Sequence, residues 1–124
     1  MAIKDLEKDR AKFAYGCVVE ANKNDKIKND YKPYVKKISM MILNNGLGAT
    51  FAFVYSKKKN GNAYELIDKQ VLKWFHLDEK QDLVKWIIDQ ESQEYRATTN
   101  EVLALFGWLK RFADGMIEGD ENAN

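Results

Sequence analysis

The chain has 124 residues, 14.4 kDa, a formal net charge of +1, 45% apolar residues, one proline, seven glycines and one cysteine. That is enough for one hydrophobic core and too little for two, and it argues against a disordered chain, a turn-rich all-β protein or a disulfide-stapled domain. The small net charge hides an asymmetry, because residues 1–60 carry 13 Lys/Arg against 6 Asp/Glu while residues 61–124 carry 7 against 13. Either the surface is bipolar, with one face suited to a polyanion, or folding intermixes the two halves.

In chain order, Ile3, Leu6, Phe13, Ala14, Cys17, Val18 and Ala21 recur at helical spacing and form one stripe of a long first helix. Lys4, Glu7, Lys8, Asp9 and Lys12 take its outer faces. Asn22–Asp30 has no periodicity and reads as a polar loop. A second helix is expected from near Asp30, with Pro33 in its first turn and Tyr34, Val35, Ile38, Met41 and Ile42 inside. It should stop at Asn44-Asn45-Gly46, where Gly46 supplies a left-handed cap.

Leu47 to Ser56 is apolar again. Its "TFAFVY" is β-prone by propensity, and a short buried helix fits as well. Phe51, Phe53, Val54 and Tyr55 read as mostly core. After the Lys57–Asn62 loop, Asn62 with Glu65 has capping-box spacing for a helix burying Tyr64, Leu66, Ile67, Val71, Leu72, Trp74 and Phe75. Asp78 with Gln81 repeats that spacing for a fifth helix, with Leu83, Val84, Trp86 and Ile87. Ser92 or Thr98 opens the last and longest, striped by Tyr95, Val102, Leu103, Phe106, Leu109, Phe112 and Met116. The expected fold is all-α: a single compact bundle of about six helices over residues 1–118, followed by a disordered polar tail at 119–124.

The sequence lacks the parts of an active site. His76 is the lone histidine and Cys17 the lone cysteine, so no zinc site of the usual type forms within the chain, and Cys17 on its apolar stripe reads as a buried small hydrophobe and not a nucleophile. Neither a metal nor a cofactor is expected. Gly46-Leu47-Gly48 has Phe51 where a third glycine belongs, and no Lys-Ser/Thr follows as in a P-loop. Ile38 to Ser56 is uncharged and near spanning length, yet Asn44-Asn45-Gly46 in its middle argues against lipid. A hairpin in the protein core accounts for it better, and no membrane partner is expected. One cysteine and a charged N-terminal stretch without an apolar run point to the cytoplasm. For nucleic acid the candidate cations are Lys8, Arg10, Lys12, Lys36, Lys37, Lys57, Lys58, Lys59, Arg96, Lys110 and Arg111.

Three blocks, in order, resemble a known family: "RAKFA" (Arg10–Ala14), "NNGLGATFAFVYSK" (Asn44–Lys57) and "YRATTNEVLALFGWLKRFADG" (Tyr95–Gly115). They are similar to the small helical subunit (Cmr5) family of type III-B CRISPR Cmr effectors. Tyr64 and "LKWF" (Leu72–Phe75) fit the less specific middle. One departure is Ile38-Ser39, where the family often has Leu-Pro. The resemblance implies an all-α bundle without nuclease activity. It further implies a subunit that lines the guide RNA–target RNA channel beside further copies of itself, the backbone subunit and the large subunit, in antiviral defence. On this reading Arg10, Lys57, Lys58, Arg96, Lys110 and Arg111 are the expected RNA-contacting residues. The alternative is a helical protein-interaction or DNA-binding regulatory domain, with a possible helix-turn-helix at Trp74–Ile88.

Overall fold

The computed structural model describes residues 3–118, with side chains from residue 6 onward. Six α-helices and no strands form over those residues: α1 Ile3–Asn22, α2 Lys28–Asn45, α3 Leu47–Lys57, α4 Ala63–Trp74, α5 Leu83–Ile88 and α6 Ser92–Met116. The all-α bundle expected from the periodicity is what the chain adopts. The expected tail lies outside the described residues, as do the side chains of Ile3 and Lys4.

α6 is the central element, packed along both α1 and α2. Arg10 meets Glu101 at one end of the α1–α6 pair and Asn22 meets the Met116 carbonyl at the other, so these helices run parallel. Lys36 meets Asp114 and Lys32 meets the Ile117 carbonyl, while Gly48 meets Tyr95 at the far end, so α2 runs antiparallel to α6. α4 bridges the other helices, its Tyr64 on α2 and its Trp74 reaching α1 and α6. The core between them holds Val18, Tyr31, Ile38, Leu47, Phe51, Ile67, Leu72, Leu105, Phe106 and Leu109, all fully buried. Each aliphatic or aromatic side chain buried this way contributes about 1.5–3 kcal/mol.

Several boundaries differ from the sequence expectation, each for a local reason. α2 begins at Lys28, before Asp30, because Ile27 is buried and anchors the turn ahead of it. Pro33 therefore sits in the second turn, and its missing N–H leaves only the Asn29 carbonyl, on an exposed residue, without an intrahelical partner. Tyr31, absent from the expected stripe, is a core residue. Its hydroxyl donates to Gln70 Oε1 at 2.6 Å, and Gln70 Nε2 donates to the Cys17 carbonyl at 3.1 Å, joining α2, α4 and α1. The β-prone "TFAFVY" is helical. Its Phe51 and Val54 face the core, but Tyr55 is exposed rather than buried.

Gly46 is not left-handed helical. Its φ of 93° with ψ of 163° is a conformation open essentially to glycine alone. That bend lets α3 start immediately, and the Gly48 N–H, unpaired within its own helix, donates to the Tyr95 hydroxyl at 2.7 Å. A Cβ on Gly48 would stand 3.2 Å from that hydroxyl, which is why a second glycine follows so closely.

Asn62 caps α4 as expected, accepting from Glu65 N–H, but Glu65 reaches back to Gly61 N–H instead of to Asn62. Asp78 closes only a turn onto Lys80, and Asp82 is the residue that caps α5. α5 is six residues long with Leu83 and Ile87 buried, so the Trp74–Ile88 region presents no recognition helix. Ser92 is the first residue of α6, and Thr98 is a buried residue within it, not its start.

Candidate nucleic-acid interface

The two halves of the sequence differ in charge, and the fold decides whether that charge is bipolar or intermixed. Four ion pairs join a cation from residues 1–60 to an anion from residues 61–124: Arg10–Glu101, Lys32–Asp114, Lys36–Asp114 and Lys58–Asp68. Charges are thus intermixed along the helix seams, and the cations left over face outward.

Two of the expected RNA-contacting residues are bound into these seams. The Arg10 guanidinium grips Glu101 through two bonds of 2.7 Å, and Trp74 Nε1 donates to the same carboxylate at 3.0 Å. The Arg10 hydrogen bonds hold the Glu101 carboxyl below the usual range. Lys58 Nζ lies 3.2 Å from Asp68, whose side chain is 5% exposed. Burial pushes the Asp68 carboxyl up, and Lys58 opposes that shift. Arg10 and Lys58 therefore serve the fold first.

The other four are spread over the surface. Arg96 is exposed near the start of α6, Lys110 is half-buried and Arg111 is exposed near its end. Arg96 and Lys110 are separated by about 21 Å of helix at 1.5 Å per residue. Lys57 is exposed at the end of α3.

Besides Lys58, whose Nζ also lies 5.3 Å from the centroid of the Tyr55 ring, the structure assembles two aromatic clusters that carry cations. On the first, Lys37 and Lys57 share the Phe53 ring, with Nζ 4.8 Å and 5.7 Å from its centroid. Phe53 stands edge-on to Tyr64, Tyr64 stacks on Tyr34 at 4.1 Å, and Lys37 Nζ donates to the Tyr64 hydroxyl at 3.4 Å. Among the described residues, neither lysine pairs with a carboxylate. On the second, Arg111 lies over Trp108, Trp108 stacks on Phe112, and Phe112 meets the exposed Tyr15 edge-on at 5.4 Å. Exposed Lys8 and Lys12 share the α1 stripe of Tyr15 by their spacing.

Lys37 was one cation among many in the sequence, and only the α2–α3 hairpin brings it to Lys57. The spacing of Trp108, Arg111 and Phe112 on one helical face was a readable signal for the second surface. The other chemistry-bearing residues take structural roles. Cys17 is buried, and desolvation pushes its thiol up to about 12. His76 occupies the left-handed position after α4, with φ of 58°. Among the described residues no helix is long and apolar enough to cross a membrane.

Comparison with known proteins gives one consistent result. The family model described as CRISPR-associated protein (Cas_Cmr5) matches residues 6–116. A protein named CRISPR system Cmr subunit Cmr5 from Thermotoga maritima is 30% identical over 125 residues, covering 98% of this chain and 92% of its own length. One of the same name from Thermus thermophilus is 30% identical over 108 residues, covering 87% and 92%. The crystal structure of a CRISPR-associated Cmr5 family protein from Thermus thermophilus superposes with a TM-score of 0.78 at 28% identity, covering 90% of this chain and 97% of that one. With its six-helix fold and nearly its whole length matched, this chain belongs to the Cmr5 family of CRISPR-associated proteins.

Proposed function

We propose that the chain is a non-catalytic small subunit of a type III-B CRISPR (Cmr) RNA-guided effector complex in antiviral defence. It lies along the guide RNA–target RNA duplex and contacts the backbone subunit, the large subunit and further copies of itself. The names of its relatives support membership in the complex. The observation that carries the RNA reading is the convergence of Lys37 and Lys57 on Phe53. The Phe53 ring holds both ammonium groups in one place, and without a carboxylate partner they are available to phosphates. Arg111 on Trp108 adds a second contact able to bind a phosphate through two donors, and Arg96 and Lys110 are further contacts. The buried thiol and the structural position of His76 favour a non-catalytic role.

Target-RNA binding by the assembled complex at rising salt is the test. Lys37→Glu with Lys57→Glu should weaken binding at least about tenfold and flatten the salt dependence by roughly 0.7–0.9 in slope for each phosphate no longer neutralised. Arg111→Glu should act in the same direction. Unchanged affinity and slope in both variants would remove the RNA role.

A further inference from the structure

We infer that the ring of Tyr15, backed by Phe112, Trp108 and Arg111, is a stacking platform for an unpaired RNA base. This rests on the RNA reading above and names the part of the RNA that the second aromatic cluster takes. The two clusters differ in what they leave open. At Phe53 the ammonium groups of Lys37 and Lys57 lie over the ring, and its neighbour Tyr64 is buried and stacked on Tyr34. None of those three rings is exposed, so that cluster offers charge. At the second cluster a ring itself is open, because Tyr15 keeps 53% of its surface in solvent. Phe112, packed edge-on at 5.4 Å, holds the ring in place before any ligand arrives.

An open aromatic ring on a cationic surface fits the π-face of a base while the cations take the flanking phosphates. Arg111, Lys8 and Lys12 supply those cations, and among the described residues none of them pairs with a carboxylate. This charge favours RNA over a protein neighbour as the occupant. Within a duplex the faces of the bases are covered by their neighbours, so the base must be an unpaired one. The helix surface beside the rings is bare as well. Gly107 and Gly115 lie one turn to either side of Arg111, and a Cβ on either would meet nothing within 4 Å. Packing within the fold therefore does not call for glycine there, although glycine is the least favourable helix residue after proline. Its missing side chain leaves room for a nucleotide to approach α6.

The experiment uses the complex reconstituted from this chain, the remaining Cmr subunits and guide RNA, and measures target-RNA binding over a salt series. Tyr15→Leu should weaken binding about fivefold or more. The salt slope should not change, because no charge is removed. Tyr15→Phe, which keeps the ring, should bind like the wild type, and both variants should keep the wild-type thermal midpoint because the side chain is exposed. Iodouridine placed in turn along the guide or the target should photocrosslink to Tyr15, and the strand that crosslinks is the one that supplies the base. An abasic nucleotide at that position should weaken binding by the wild type and not by Tyr15→Leu, as a shared contact requires. The inference is overturned if Tyr15→Leu binds like the wild type, if neither strand crosslinks, or if a benzophenone amino acid in place of Tyr15 crosslinks only to protein. Lys37→Glu with Lys57→Glu, run in parallel, separates the two readings. An effect there with none at Tyr15 removes the platform alone, and no effect at either removes the RNA reading with it.

Discussion

His76 adopts a left-handed backbone where α4 ends, and the hydrogen bonds around it explain why. Its N–H donates to the Lys73 carbonyl and that of Leu77 to Leu72, the paired bonds of a Schellman ending. Glycine usually fills this position, and an L side chain there costs about 1–2 kcal/mol. His76→Gly should therefore stabilise the chain by about 1 kcal/mol, seen as a higher urea midpoint with unchanged slope. The Arg10–Glu101 pair gives the opposite result. Arg10→Met should cost about 2 kcal/mol at neutral pH, because it leaves a half-buried carboxylate with Trp74 as its one remaining donor. Glu101 is held below its usual range, so the fold binds its proton less tightly than the unfolded chain does. The pair's contribution is complete above about pH 4.3, the ordinary glutamate value, and is lost as pH falls through the depressed folded value. Urea titrations of wild type and variant should accordingly converge between pH 7 and pH 2.

At the scale of elements, the α2–α3 joint carries the most instructive difference between pattern and fold. A helix stop at Gly46 was legible, since a polar pair followed by glycine ends a helix. The extended positive-φ bend was not, because it depends on Tyr95, distant in sequence, capping α3. Gly46→Ala should cost about 1–3 kcal/mol by forcing a Cβ into that conformation. Tyr95→Phe should cost about 1–2 kcal/mol by stranding the Gly48 N–H, and both are measurable by thermal denaturation. Propensity alone left α3 open between strand and helix, and the structure makes it a helix whose Phe51 and Val54 fill the core. Asp78 shows the limit of local spacing, since a capping pattern shortly before the true cap closed only a turn.

Across the whole molecule, the all-α class and the helix count were readable because apolar residues recur with a helical period in every long segment. The interface was less readable. Lysine runs do not reveal which members will be bound by carboxylates, and Lys58 and Arg10 were consumed in that way by Asp68 and Glu101, the second of these far away in sequence. Nor does a run show which lysines will meet across a hairpin, as Lys37 and Lys57 do at Phe53. The result is an intermixed surface on which the lysines that no carboxylate binds gather at Phe53. The most direct test is affinity purification of the tagged chain from cells that express the other Cmr subunits and guide RNA, with the bound RNA quantified. The guide RNA and the other subunits should be recovered in fixed ratio with the tagged chain. Recovery of the chain alone, free of RNA and of Cmr subunits, would contradict it.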